Sequence, residues 1–253
     1  MLEPMNTPPL IVACGGGLNT WAMMLGMHDR DVRPDLILFA DTGGEKPETY
    51  QFLDALDSQF AEWDWPPLLR VAYGKFPSLE ANCLAKNMLP SLAYGFKKCS
   101  LKYKKYPQEM FVKYWAPAIA AWHSGEMLTK AIGFDADEGH RKMPADGDGY
   151  RYWYPLIEWD WGRDDCLSRA KESGIVPPKS SCFFCPASRK AEILALTKDL
   201  QERAIAMERN AELTSVKGLG RRFSWEALIS ADERQGKLFP EADEIACMCF
   251  DGD

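Results

Sequence analysis

The stretch Leu10-Ile11-Val12-Ala13-Cys14-Gly15-Gly16-Gly17-Leu18-Asn19-Thr20 decides the fold class of this chain. Its first half is a run of aliphatic residues, which is typical of a strand buried in a parallel sheet. Three glycines follow, and they let backbone N–H groups approach a phosphate without a Cβ atom in the way. The apolar pattern resumes at Trp21, where we expect a helix capped by Asn19 or Thr20 with its positive end toward the anion. The stretch therefore predicts a strand, a phosphate loop and a helix.

Two common nucleotide loops do not match this stretch. A Walker loop would continue with Gly-Lys-Ser/Thr, and the third glycine of the dinucleotide pattern G-x-G-x-x-G would fall at Thr20. The residues thus indicate a nucleotide loop of another kind, with a glycine-rich turn that binds nothing as the alternative.

A second buried strand is predicted at Leu36–Ala40, and it leads directly into the polar segment Asp41–Tyr50. Ligands of open α/β sheets bind beyond the carboxyl ends of the strands, so the two loops should face one crevice. Pro47 suits the first turn of the helix that we expect next.

These two loops resemble known motifs. The residues Gly15–Thr20 are similar to the S-G-G-x-D-S pyrophosphate loop of PP-loop ATPases, with Gly15 in place of Ser, Asn19 of Asp and Thr20 of Ser. Asp41-Thr42-Gly43 followed by Pro47-Glu48-Thr49 resembles the D-T-G…P-E-T element of the phosphoadenylylsulfate (PAPS) reductase family. The resemblance implies a doubly wound, mostly parallel α/β sheet of the adenine nucleotide alpha hydrolase type. It also implies that the nucleotide, ATP in particular, contacts residues of both loops: Gly15, Gly16, Gly17, Asn19, Thr20, Asp41, Thr42 and Gly43.

The chain has eight cysteines and no secretion signal, so disulfides are the less expected use. Cys182 and Cys185 form a C-x-x-C pair whose thiolates can reach one metal or cluster. The segment from Cys99 to Pro107 resembles the C-C-x-x-R-K-x-x-P segment of the iron–sulfur branch of the family, with Lys104 at the lysine and Ser100 in place of the second cysteine. The resemblance implies a [4Fe–4S] cluster on Cys99, Cys182 and Cys185.

A structural zinc site is the alternative to the cluster. Cys247 and Cys249 form a C-x-C pair near the end of the chain, and with Cys182 and Cys185 they would complete four ligands. Cys14, Cys83 and Cys166 lie in apolar or helical contexts and are interpreted as core residues.

A loop rich in charge, Ile132–Arg141, follows another predicted strand and stands where the family carries its G-x-R…R substrate loop. Arg141 matches the second arginine, whereas Asp135 replaces the first. An acid there would repel a sulfonucleotide, while Mg²⁺-bound ATP can use carboxylates. A solvated acidic loop is the alternative. The family match implies catalytic roles for Asp41, Lys104 and Arg141.

Composition and patterning bound the remaining possibilities. The 253 residues carry a net charge of −7 with a pI near 5.2, which does not favour generic binding to nucleic acid. A run of lysines between Lys97 and Lys105 is an exception, although such runs are usually solvated. We find neither an 18-residue apolar run nor a signal peptide, and expect a cytoplasmic protein without membrane contact.

Other segments predict the rest of the architecture. We expect strands at Leu68–Ala72 and Leu128–Phe134, a long helical region that includes Gln108–Trp122, and helices over Ala187–Leu200 and Gln201–Leu213. We divide the chain into a nucleotide-binding domain, residues 1–179, and a cysteine-containing helical extension packed on it, residues 180–253.

The leading functional hypothesis is ATP-dependent sulfur transfer, in which a target is adenylated, pyrophosphate leaves, and the cluster delivers or positions sulfur. The target would be a small molecule or a nucleic acid, brought by the lysine run or by a partner protein. One alternative is a PAPS or adenylylsulfate (APS) reductase, for which no E-C-G-x-H type ending is present. The other is a nucleotide- or metal-binding module without catalysis in a larger complex.

Overall fold

The computed structural model describes residues 7–142 and 146–236, which contain a five-stranded sheet in the order β3-β2-β1-β4-β5. Every neighbouring pair of these strands is parallel. The strands are β1 (Leu10–Cys14), β2 (Leu36–Asp41), β3 (Leu68–Ala72), β4 (Leu128–Ile132) and β5 (Tyr150–Trp153). Helices cover both faces of the sheet, so the predicted doubly wound α/β fold is confirmed.

In the part of the chain that the structure describes, single helices alternate with the first three strands, four helices lie between β3 and β4, and five follow β5. The helices are α1 (Leu18–His28), α2 (Pro47–Glu62), α3 (Leu79–Ala85), α4 (Lys98–Ser100), α5 (Tyr106–Lys113), α6 (Ala116–His123), α7 (Pro155–Glu158), α8 (Arg163–Glu172), α9 (Lys190–Leu194), α10 (Lys198–Asn210) and α11 (Trp225–Gly236). A π-helical turn, Leu101–Lys105, joins α4 to α5, and 3₁₀ turns lie at Ser91–Tyr94 and Ala136–Arg141. No described helix combines the length and the apolar character needed to cross a bilayer.

Side-chain alternation along the strands builds a core on each face of the sheet. On one face, Val12 and Phe39 pack against Trp21 of α1. On the other, Ile11 and Leu38 pack with residues of α5 and α6. Because β1 is buried on both faces, its aliphatic run needs no polar alternation.

The strand order fixes where a ligand site is expected. From β1 the chain builds the sheet outward through β2 and β3, and it later returns to the other side of β1 with β4 and β5. The carboxyl ends of β1 and β4 therefore flank a topological switch point, where the loops diverge and leave a crevice. The loops after these strands are the phosphate loop and the segment Gly133–Arg141.

Described residues beyond Ser180 pack in a third core, which they share with α3 and the π turn. Its largest buried side chains are Trp225, Tyr103, Phe183 and Phe184. The boundary between residues 179 and 180 stays a prediction, and Cys247 and Cys249 lie outside the described residues.

Several predicted bounds need correction. The fourth strand ends at Ile132 rather than Phe134, because the N–H of Phe134 turns back to the carbonyl of Ile132. The expected helix 108–122 is split at Tyr114–Trp115, where Pro117 begins α6. In the last part, the helices occupy 190–194 and 198–210, with a break at residues 195–197.

Candidate functional site

The phosphate loop has the backbone that its glycines predict, but its cap differs. Gly16 has a φ of +69°, and a Cβ atom there would meet the Phe39 ring at 3.2 Å. Gly17 is the N-cap of α1, in an extended conformation and without a side-chain cap. The prediction that Asn19 or Thr20 caps the helix was wrong, since both lie inside α1; Thr20 Oγ1 instead accepts a 3.4 Å hydrogen bond from Gly15 N–H. The first N–H groups of α1 are thus left without a side-chain acceptor, as an anion site requires.

A cavity of about 630 Å³ opens at this end of α1, between the carboxyl ends of β1 and β4. Gly15, Gly17, Asn19 and Thr20 form one wall, and the loop after β4 forms another. One acidic side chain, Glu138, lines the cavity. Four cationic side chains line it as well: Lys104, Arg141, Arg163 and Lys179. The cavity therefore combines a helix N-terminus with an excess of positive charge.

Three of these cations already contact a carboxylate. Lys104 pairs with Glu45, Arg141 with Glu138, and Lys179 with Glu192. Arg163 forms no ion pair with any residue that the structure describes. Sequence reasoning missed Arg163, because it lies about 30 residues beyond β4 and only the start of α8 brings it to the cavity.

The acids of the loop after β4 are held by the phosphate loop. Asn19 Nδ2 donates to Asp135 Oδ2 at 2.8 Å and to Glu138 Oε2 at 3.2 Å. Asp135 is only 2% exposed and also accepts from the N–H of Glu138. Asp135 is therefore a structural cap of the 3₁₀ turn, not the exposed acid that the sequence suggested, and Glu138 is the carboxylate that reaches the cavity.

The second loop is shaped by its own aspartate. Asp41 Oδ1 accepts hydrogen bonds from Gly43 N–H at 2.7 Å and from the Tyr50 hydroxyl at 2.8 Å. Burial, together with this bond to Asp41, raises the pKa of Tyr50. Gly43 has a φ of +65°, and a Cβ atom there would lie 2.6 Å from Ser78 Cβ. Asp41 and Gly43 thus fix the turn that carries Thr42 and Glu45.

The C-x-x-C segment joins this turn. Glu45 and Cys182 form an antiparallel bridge, and Phe183 N–H donates to the carbonyl of Gly44. Thr42 Oγ1 lies 3.1 Å from Cys182 Sγ, and the carboxylate of Glu45 lies 3.9 Å from the same sulfur. The two sequence motifs, about 140 positions apart, thus meet in one buried polar cluster.

Lys104 connects that cluster to the cavity. It sits in the π turn before α5, and its Nζ lies 3.5 Å from Glu45 Oε1, whose side chain is fully buried. Burial acts to lower the pKa of Lys104, but Glu45 and the nearby thiols outweigh it and hold that pKa above its ordinary value. Lys104 therefore keeps its charge at neutral pH. Burial, reinforced by Glu45, raises the pKa of the Cys182 thiol to about 12.

The three cysteines predicted to bind the cluster, Cys99, Cys182 and Cys185, border the same core. Cys182 contacts Thr42, while Cys99 lines a separate cavity of about 200 Å³ together with Cys83. Among the described residues, no group of three or more Cys, His, Asp or Glu side chains is arranged to hold a metal ion. The cluster ligands Cys99, Cys182 and Cys185 therefore remain a prediction, as does the zinc site.

A second cavity, of about 460 Å³, lies beside the first. The two share Ala13, Gly15, Lys104 and Ile132. The second cavity runs between the sheet and the start of α5, and apolar side chains form much of its wall: Phe39, Ala40, Leu101 and Ile132. A ligand can therefore extend from the phosphate loop into an apolar chamber.

The chain was compared with protein families, curated proteins and solved structures. No family model matches the chain, and no curated protein matches it. The crystal structure of phosphoadenylyl-sulfate (PAPS) reductase from Candida auris, in a phosphate complex, is similar over 68% of this chain and 76% of its own, with 19% identity and a TM-score of 0.44.

Proposed function

We propose that this protein is an adenine-nucleotide-dependent enzyme of sulfur chemistry that adenylates an acceptor with ATP. The observation that best supports this proposal is the 630 Å³ cavity, where the N-terminus of α1, which has no side-chain cap, and four cationic side chains face the same space. Phosphates are the ligands that such a combination stabilises.

The site offers the groups that pyrophosphate release needs. An acceptor oxygen attacks the α-phosphorus of ATP, the bond to the β-phosphate oxygen breaks, and pyrophosphate leaves with the negative charge. The N–H groups of α1 and the Arg163 guanidinium would stabilise that charge as it develops. Glu138 supplies a carboxylate for Mg²⁺. Sulfide then attacks the acceptor atom that bears the adenylated oxygen, the bond to that oxygen breaks, and AMP leaves.

The surface near Lys104 supports a nucleic acid as acceptor. Phe96, Leu101 and Tyr106 expose 59%, 57% and 47% of their surface, next to exposed Lys97 and Lys98. Exposed rings stack on bases, and ammonium groups contact phosphates. The lysine run is thus divided: Lys104 and Lys105 line the 460 Å³ cavity, whereas Lys97, Lys98 and Lys102 line neither it nor the 630 Å³ cavity.

The iron–sulfur cluster is a separate prediction, and none of these steps depends on it. Anaerobic purification with iron, sulfide and zinc analysis tests it, with Cys99→Ala as the variant that should lose iron and sulfide.

The direct test of the proposal measures the conversion of ATP to AMP and pyrophosphate in the presence of sulfide and of either tRNA or single-stranded DNA. Arg163→Ala should reduce the rate at least tenfold, while Lys171→Ala, an exposed change on the same helix, should not. Tight ATP binding with no AMP from any acceptor would favour the noncatalytic module instead.

A sulfonucleotide reductase is the second candidate, and Arg163 is the observation that favours it. Asp135 is buried and Arg163 stands with Arg141 in the cavity, so two guanidiniums are available to a sulfate group. Sulfite release from PAPS or APS with reduced thioredoxin, lost in Cys249→Ser, would establish this activity and displace the first.

A further inference from the structure

The 460 Å³ cavity contains one buried polar group that the surrounding protein does not satisfy. Gln108, on α5, lines the cavity and is only 9% exposed. Its side-chain Oε1 is buried and has no hydrogen-bond partner among the described residues. A buried amide oxygen without a donor is destabilising, and rotation of the amide would turn this oxygen toward the cavity, where a ligand can supply the donor.

The charged groups around this cavity are largely engaged elsewhere. Lys104 pairs with Glu45, and Lys105 with Glu109 at 3.3 Å. The Lys130 ammonium lies 5.4 Å from the centre of the Tyr150 ring, and burial lowers its pKa. With apolar side chains forming much of the remaining wall, the chamber suits a flat heteroaromatic group better than a second phosphate.

We propose that Gln108 is the residue that selects the base, reading the hydrogen-bonding edge of adenine. This inference rests on the proposed function, since the cavity adjoins the phosphate loop through Gly15 and Ile132. The Gln108 oxygen accepts from the 6-amino group of adenine, and its Nε2 donates to an adjacent ring nitrogen. Glutamine forms this bidentate pair with adenine in nucleic-acid recognition.

The sequence pattern alone would not identify this residue. Gln108 stands in the first turns of a helix, where glutamine is ordinarily solvated, and only the packing of α5 against the sheet buries it. Its conversion to leucine removes the hydrogen bonds while keeping the volume close.

The test compares the binding of ATP and of purine riboside triphosphate, which lacks the 6-amino group, by calorimetry. Wild type should bind ATP about tenfold more tightly than the analogue, and Gln108→Leu should bind the two equally. Gln108→Glu cannot donate to the ring nitrogen, so it should lose ATP affinity. Lys113→Ala, an exposed change on the same helix, should keep the wild-type ratio.

Inorganic pyrophosphate separates the two claims. One outcome would overturn the role of Gln108 and leave the proposed function standing. In that outcome the wild type binds pyrophosphate and ATP, but Gln108→Leu weakens the binding of ATP and of the analogue by the same factor. Failure of wild type to bind either pyrophosphate or ATP would overturn the proposed function itself. Removal of an unsatisfied amide should not lower stability, so ligand-free Gln108→Leu that unfolds at or above the wild-type temperature, measured alongside, ties the result to the ligand.

Discussion

At the scale of single residues, the site depends on one buried carboxylate. Glu45 is 4% exposed, and its Oε2 has no hydrogen-bond partner among the described residues. Lys104 compensates its charge through Oε1, and the Cys182 thiol lies on the same side. The pair costs desolvation, so its presence points to placement of Lys104 at the cavity rather than to stability.

Lys104→Met should therefore destabilise the protein as well as weaken ATP binding. Removal of the ammonium leaves Glu45 buried without its partner, and we expect a loss of about 2 kcal/mol, less than for a fully buried pair because Lys104 is 42% exposed. Urea unfolding gives the value. The double variant Glu45→Gln/Lys104→Met should recover part of the stability; a double variant as unstable as the sum of the two single changes would show that the pair is not coupled.

Gly43→Ala should destabilise the turn that carries Thr42. The added Cβ would meet Ser78 Cβ and the carbonyl of Pro77, on a residue with positive φ. We expect about 3 kcal/mol, against about 1 kcal/mol for Gly125→Ala, which has a φ of +78° and open space around it. Equal losses in denaturant unfolding would mean that conformation alone, and not the contact with Ser78, requires glycine at position 43.

At the scale of elements, one carboxylate organises the end of the described chain. Glu208 of α10 is 4% exposed and accepts four hydrogen bonds, from Leu219 N–H at 2.6 Å, Ser224 Oγ at 2.7 Å, Trp225 N–H at 2.9 Å and Glu226 N–H at 3.1 Å. Two of these donors begin α11. The segment Gly218–Trp225 is accordingly a turn fastened to α10.

Glu208→Gln should release this turn. An amide cannot accept at both ends, so at least two donors lose their acceptor, and we expect about 3 kcal/mol of destabilisation. Glu212→Gln, an exposed change just beyond α10, should be neutral. Limited proteolysis should cut Glu208→Gln first near residues 218–224; a cleavage pattern like that of wild type would contradict the capping role.

The elements also show how far the sequence alone can go. Strands β1 and β2 were predicted within one residue, because aliphatic runs such as Leu36–Ala40 are largely buried and leave little ambiguity; β3 was also predicted, although most of it is exposed. Strand β5 was missed, since Tyr150–Trp153 is short and half exposed. The cap of α1 was misassigned because Asn and Thr are better caps than Gly by intrinsic preference, while the site here needs an uncapped end.

The sequence predicted the loops of the candidate site but not the contacts between residues that are distant in the sequence. Both motifs lie at the predicted sheet edge, and the phosphate loop and the loop after β4 line the 630 Å³ cavity, whereas Asp41, Thr42 and Gly43 do not. Arg163 and Gln108 carry no motif, and tertiary packing alone brings them to the cavities. The burial of Asp135 was missed for the same reason, since its partner Asn19 is more than 100 residues away.

At the scale of the whole molecule, four buried thiols should make the fold sensitive to alkaline pH. Burial raises the pKa of Cys14, Cys83, Cys166 and Cys182 from 9.0 to about 12. The unfolded chain ionises first, so their stabilising effect is complete below pH 9 and is lost as the pH rises toward 12. Each thiol should lower the free energy of unfolding by about 1.4 kcal/mol per pH unit in that window.

Urea titrations under reducing conditions at pH 8, 9 and 10 measure this slope. Cys166→Ala removes one thiol from the core beneath α8. Between pH 9 and 10, this variant should lose about one fewer proton on unfolding than the wild type, so its free energy of unfolding should fall less steeply with pH. A slope unchanged by that variant would mean that Cys166 ionises in the folded state as readily as in the unfolded chain.

The central claim is that a nucleotide binds at the switch point between β1 and β4, with its phosphates at the start of α1. Hydrogen–deuterium exchange with and without Mg²⁺-ATP tests it most directly, because it localises the ligand on the chain. We predict slower exchange at Gly15–Thr20, at Gly133–Arg141 and at the first turn of α8, all of which border the 630 Å³ cavity. Saturating ATP that leaves these segments unchanged, or that protects only segments distant from the carboxyl ends of β1 and β4, would contradict the account.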